Sequence, residues 1–76
     1  MTQQTIAGPN VTLTAQVVER CDSCGAAGKV QAVFRSGGEL TFCGHHANRF
    51  AAGLLASAEL ILVELGFGWR GAQAAA

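Results

Sequence analysis

Hydrophobic and polar positions change rhythm twice along this chain. From Lys29 to Cys43 they alternate: Val30, Ala32 and Phe34, then Leu40 and Phe42, recur at every second residue around Ser36-Gly37-Gly38. Alternation marks half-buried strands, and glycines between them mark a β-hairpin, here over 29–43. A Gly37-Gly38 loop would set Phe34 across from Thr41. A three-residue Ser36-Gly37-Gly38 loop would instead set Phe34 across from Leu40, Ala32 across from Phe42 and Arg35 across from Glu39. The second register gathers the apolar residues on one face and pairs opposite charges, so it is the one expected.

From His45 onward the period lengthens. At about 100° per residue, Ala47, Phe50, Ala51, Leu54, Leu55, Ala58, Ile61, Leu62 and Leu65 share one arc, with Asn48, Arg49, Ser57, Glu59 and Glu64 outside it. The spacing predicts one amphipathic helix over 45–65, closed by Gly66 as its C′ residue. Leu60 and Val63 interrupt the polar side, so the second half is apolar nearly all round. Phe67 and Trp69 follow, in a Gly/Ala/Gln tail over 67–76. The run 50–69 has the length of a bilayer span, but Glu59 and Glu64 would each cost about 2.5–3.5 kcal/mol there, so no membrane span is expected.

Ahead of the hairpin the pattern is weaker. Residues 1–13 carry mixed polarity and one proline, Pro9, and read as a flexible arm from which Val11 and Leu13 could dock on a core. Thr14 to Glu19 suggests a short helical turn capped by Thr14, although Val17 at the N3 position leaves the capping box incomplete. The expected domain is therefore 14–66.

Composition now matters, because a chain of 76 residues is small. A domain of this size buries only about 60% of its unfolded surface and usually needs a staple. Three cysteines cannot all pair internally, and residues 1–10 lack the basic and apolar regions of a secretory signal. A reducing cytoplasm is the expected compartment, where such cysteines act as ligands or catalysts rather than as crosslinks. Basic and acidic residues balance at five each, and Arg20, Lys29, Arg35, Arg49 and Arg70 are scattered, so no basic footprint for nucleic acid stands out. Half the residues are hydrophobic and 13% are charged, which predicts apolar surface held against another molecule.

The staple is visible. Cys21-Asp22-Ser23-Cys24-Gly25 and Cys43-Gly44-His45-His46 place two close pairs of soft donors on either side of the hairpin. Zinc takes four such ligands in a tetrahedron. Gly25 allows the sharp turn that aims backbone N–H groups at the sulfurs. Cys21, Cys24, Cys43 and His46 are the expected ligands, since His46 repeats the Cys-x-x-Cys spacing and borders the inward arc. His45 is the alternative fourth ligand. One structural Zn²⁺ would contribute on the order of 10–16 kcal/mol, comparable to the whole stability of a small domain. A redox Cys-x-x-Cys leaves Cys43, His45 and His46 unexplained, and a Cys–His nucleophile lacks an orienting third group and a pocket. Four protein ligands also leave no open position for a catalytic water, so no enzyme activity is expected.

Knuckle, hairpin and helix in this order resemble treble-clef and zinc-ribbon fingers over about residues 20–55, which implies a small α+β zinc-binding domain with one C-terminal helix. A closer resemblance rests on Leu13-Thr14-Ala15, on Arg20-Cys21-Asp22-Ser23-Cys24-Gly25-Ala26-Ala27, on Ser36-Gly37-Gly38-Glu39-Leu40 and on Phe42-Cys43-Gly44-His45-His46-Ala47. Over about residues 13–50 the chain is similar to a family of short uncharacterised proteins of actinobacteria and their phages. It departs from that pattern after Phe50, where the apolar Leu60–Trp69 end begins. The resulting expectation is a non-catalytic, zinc-stabilised protein-interaction module, a regulator encoded by a phage or an actinobacterium. It would bind a protein or a second copy through Leu60, Val63, Phe67 and Trp69, or else Phe67 and Trp69 would fold back to cover the hairpin. The alternative is a transcription-associated or nucleic-acid-binding finger.

Overall fold

The computed structural model describes residues 10–75. Its elements, in order, are β1 (Asn10–Thr14), β2 (Val30–Phe34), β3 (Glu39–Phe42), α1 (Gly44–Arg49), α2 (Ala51–Ser57), β4 (Ala58–Glu64) and α3 (Arg70–Ala75). The strands form one sheet in the order β1-β4-β2-β3. β4 runs antiparallel to β2 and parallel to β1, so the last strand lies inside the sheet and joins the first strand to the hairpin. The protein is a small α+β domain.

The hairpin forms with a register two residues away from the one expected. Val30 faces Phe42, Ala32 faces Leu40 and Val33 faces Glu39. The loop is Arg35-Ser36-Gly37, closed by Gly37 N–H to the Phe34 carbonyl at 2.9 Å and Phe34 N–H to the Gly38 carbonyl at 2.9 Å. Gly37 takes φ +99°, the left-handed position that a three-residue loop requires. A shift of two preserves the pleat, so the expected apolar face survives while the Arg35–Glu39 pair does not form opposite one another.

The predicted helix over 45–65 is replaced by three segments. α1 and α2 meet at Phe50, whose N–H reaches the His46 carbonyl and whose carbonyl accepts from Leu54, both at 2.9 Å. At Ala58 the backbone turns extended (φ −84°, ψ 149°), and 58–64 becomes strand β4. As a strand this segment pairs its backbone on both sides, with β1 and with β2. Gly66 consequently ends a strand rather than a helix, in a turn where Phe67 N–H donates to the Glu64 carbonyl at 3.0 Å. Two further expectations fall. Val11 and Leu13 belong to strand β1 rather than to a flexible arm, Val11 docking on the core and Leu13 staying exposed, and 15–19 holds no helical turn. Residues 1–9 of the proposed arm lie outside the described residues.

One sheet face carries the core. Val30, Ala32, Phe42, Ile61 and Val63 pack against Ala47, Ala51 and Leu54 of the helices, together with Cys21, Cys43 and Trp69. Trp69 is 1% exposed, and its indole Nε1–H donates to the Ala47 carbonyl at 2.8 Å. The C-terminal segment therefore folds back over the helices, which corrects the reading of 67–76 as a tail. The same burial removes Val63 (2% exposed) and Trp69 from the expected partner surface. Phe67 is half-buried over Gly44, where an added Cβ would stand 2.9 Å from its ring. Leu60 is half-buried on the sheet face away from the helices.

Candidate metal centre

Each ligand is delivered by local chain geometry. Arg20 and Ala27 form an isolated antiparallel bridge that pinches off the loop 21–26. Within it, Gly25 N–H donates to the Cys21 carbonyl at 2.8 Å, and Cys21 N–H to the Ala26 carbonyl at 2.7 Å. Gly25 adopts φ +80°, which a side chain would strain. The turn carries Cys21 and Cys24 to one side. Asp22 fastens it to the hairpin: its N–H donates to the Thr41 carbonyl at 2.8 Å, and its Oδ2 accepts from Thr41 N–H at 2.7 Å. Two residues later the chain leaves β3 at Cys43, which caps α1, and the first turn of that helix presents His46.

The four donor atoms converge. The Cys21, Cys24 and Cys43 sulfurs and a His46 ring nitrogen all lie within 4.8 Å of one another. Cys24 Sγ is 3.8 Å from Cys43 Sγ, and His46 Nδ1 is 3.6 Å from Cys21 Sγ and 3.3 Å from Cys43 Sγ. Ligand bonds of about 2.3 Å to sulfur and about 2.0 Å to nitrogen give a tetrahedron whose edges are about 3.8 Å for S···S and about 3.5 Å for S···N. The separations match those edges, and all three cysteines are free thiols. These residues fit a metal ion of zinc's preferences, held by three thiolates and His46 Nδ1. Bound there, the ion would tie the loop, the hairpin and the first helix together. His45 is exposed and stands outside the cluster, with its ring edge-on to His46 at 5.1 Å.

The surroundings of Cys21 favour thiolate. Burial pushes the Cys21 thiol up, but N–H groups of Cys43, Ser23 and Cys24 and the Cys24 side chain outweigh it, and the pKa comes down to about 6. Ser23 N–H lies 3.4 Å from Cys21 Sγ, and His46 N–H 3.5 Å from Cys43 Sγ. For Cys24, hydrogen bonding to the Ala26 backbone lowers the pKa, yet burial and the neighbouring Cys21 and Cys43 sulfurs raise it above the ordinary thiol value. A bound cation would offset the repulsion between sulfurs this close. The His46 ring is stacked on Phe50 at 5.8 Å and 15°. That contact fixes its orientation, and Phe42 braces Phe50 edge-on at 5.5 Å. Cys21 and Cys43 are buried while Cys24 is exposed, so the centre lies at the rim of the core.

The geometry brings Cys21, Cys24, Cys43 and His46 together and leaves His45 apart. Asp22 and Arg20 were missed as supporting residues. Arg20 Nη1 donates to the Gly25 carbonyl at 3.1 Å and braces the loop from outside. An Asp between two ligands, with its preference for bonding nearby backbone, was the available signal for the first. A second staple lies on the far side of the sheet. Lys29 Nζ meets Glu64 Oε2 at 2.7 Å, and Glu64 Oε1 accepts from Val17 N–H at 3.0 Å, tying the segment after β1 to β4. The Lys29 ammonium and the Val17 N–H hold the Glu64 carboxyl below its ordinary value.

Scaffold and site together define a small α+β domain with a Cys3His cluster of metal-ligating geometry. Residues 13–67, more than half of the chain, match the family described as Domain of unknown function (DUF7455), and the chain belongs to that family. The match runs on to Phe67, so the family pattern does not stop at Phe50 as the resemblance suggested. No curated protein and no solved structure matches the chain. Among the described residues no helix is long and apolar enough to cross a membrane.

Proposed function

We propose that the chain is a non-catalytic, zinc-stabilised protein-interaction module on a treble-clef-like scaffold. The observation that carries this reading is the convergence of four donors, Cys21, Cys24, Cys43 and His46, within 4.8 Å of one another, a number sufficient to fill every corner of a zinc tetrahedron. A site with no corner left for water or substrate holds a fold together rather than performing chemistry. The free surface then carries the function. Register places Val33, Leu60 and Leu62 side by side on the sheet face away from the helices, each half-buried, with Thr12, Gln31 and Glu39 around them. An apolar centre with a polar rim is the anatomy of a protein interface. Leu60 thus remains from the expected partner surface, with Val33 and Leu62 beside it. Binding to nucleic acid has less support, because Lys29 is engaged by Glu64 and Arg20 by the loop carbonyl of Gly25.

The test is capture of host proteins by the zinc-loaded chain, by its chelated form and by Leu60→Lys/Leu62→Lys. The reading expects a partner retained by the first and lost from the other two, with the double variant still binding one zinc. A partner held equally by all three, or a labelled DNA retained in its place, overturns it.

A further inference from the structure

The two edges of the sheet are treated differently. β3 is sealed at Thr41, where both outward backbone groups bond to Asp22. β1, at the opposite edge, has no such cover among the described residues, and Asn10-Val11-Thr12-Leu13-Thr14 contains no charge and no proline. Edge strands exposed to solvent are ordinarily blunted by charge, proline or a bulge, because their free N–H and C=O groups template pairing with another chain. β1 carries none of these devices.

Which groups are free follows from one hydrogen bond. Leu65 N–H donates to the Thr14 carbonyl, so Thr14, Thr12 and Asn10 turn their backbone groups toward β4. Alternation then points the N–H and C=O of Val11 and Leu13 outward. Leu13 is also 63% exposed, although it lies beside Val63 on the core face of the sheet.

We propose that β1 pairs antiparallel with β1 of a second copy, about a two-fold axis through Thr12, to make a continuous eight-stranded sheet. The strand is self-complementary at that axis. Val11 meets Leu13 of the second copy in one hydrogen-bonded pair, and Leu13 meets Val11 in the other, which uses the outward groups and no others. Thr12 meets Thr12 in the close, non-hydrogen-bonded position between them, and Asn10 meets Thr14. On the core face each Leu13 becomes enclosed between Val63 of its own chain and Val11 of the second copy. Apolar pairs and threonine pairs are both favourable cross-strand neighbours. An arbitrary extended peptide would share the backbone bonds but not this matching, which is why a second copy is the occupant. This surface is separate from the face around Val33, Leu60 and Leu62. With five residues a side the contact is small, and association is expected to be weak.

The test is sedimentation equilibrium of the full zinc-loaded chain between about 10 µM and about 1 mM, together with amide hydrogen exchange over the same range. The expected result is a mass that doubles with concentration, and Val11 and Leu13 amides whose exchange slows in step with it. Leu13→Lys should weaken dimerisation at least about tenfold with zinc content and helical signal unchanged. Leu40→Lys, on the sealed edge, should leave dimerisation as it was. A chain that stays monomeric throughout overturns the inference. So does a dimer whose Val11 and Leu13 amides exchange as fast as in dilute solution, or one that Leu40→Lys or Leu60→Lys dissolves. The exchange measurement on the unmodified chain decides the matter should Leu13→Lys not fold.

Discussion

Replacing Trp69 separates two roles with opposite consequences. As a surface anchor for a partner, its removal would leave the isolated domain unchanged. In the structure the indole is the largest fully buried side chain among the described residues, and a Cβ on Gly71 would stand only 2.4 Å from its ring, so the α3 backbone packs directly on it. Truncating a buried tryptophan to alanine costs about 3–5 kcal/mol. Losing the bond to the Ala47 carbonyl adds about 1 kcal/mol. At about 0.05–0.15 kcal/mol per residue, a domain of 76 residues has a total stability of roughly 4–11 kcal/mol. Trp69→Ala should therefore remove a third or more of the stability, and Trp69→Phe, which keeps most of the apolar contact, about 1–2 kcal/mol. The assay is urea unfolding of the zinc-loaded protein followed by far-ultraviolet circular dichroism, since the only indole is lost in both variants. A midpoint for Trp69→Ala corresponding to less than about 0.5 kcal/mol would refute the placement of this residue in the core.

Other outcomes follow from the same geometry. A Cβ at Gly28 would stand 2.4 Å from the Glu19 carbonyl oxygen and 2.5 Å from the Thr41 methyl, so Gly28→Ala should destabilise by about 1–3 kcal/mol in thermal unfolding, whereas Gly38→Ala, with open space around it, should be nearly neutral. His46→Ala should weaken zinc binding more than about 100-fold in chelator competition, beyond what loss of an outer hydrogen bond causes, while His45→Ala leaves it unchanged. The Glu64 carboxyl is depressed by Lys29 and by Val17 N–H, so its stabilising contribution is full above the ordinary carboxylate range and is lost as pH falls through the lowered value. The stability gap between the parent and Glu64→Gln should accordingly be widest near neutrality and close in acid, and a gap independent of pH would contradict the pairing.

The metal centre was legible because its determinants are local. Two residues between each pair of ligands, a glycine after Cys24 and glycines in the hairpin loop all act within a few residues of chain. The end of the chain was not legible in the same way. Ile61, Leu62 and Leu65 satisfy a helical arc, but Ile61, Val63 and Leu65 equally satisfy a pleat. Leu60 and Leu62 lie on the other face, beside Val33 of β2 and the polar Asn10, Thr12 and Gln31. The interruption of the polar stripe by Leu60 and Val63, and the β-branched Ile61 and Val63, were the available signals for a strand. Val11 and Leu13 alternate with polar residues too, yet β1 exists only through pairing with residues 60–64, far along the chain. No short window reports such a contact. Whether Trp69 anchors a partner or folds back was open for a related reason: its partner carbonyl belongs to Ala47, brought near only once α1, α2 and β4 have formed.

X-ray absorption at the zinc edge of the purified, reduced protein reads the Cys3His cluster itself. One zinc per chain is expected, with a shell of three sulfurs at about 2.3 Å and one imidazole nitrogen at about 2.0 Å. A protein that holds no stoichiometric metal, or a shell dominated by oxygen with fewer than three sulfurs, would contradict it.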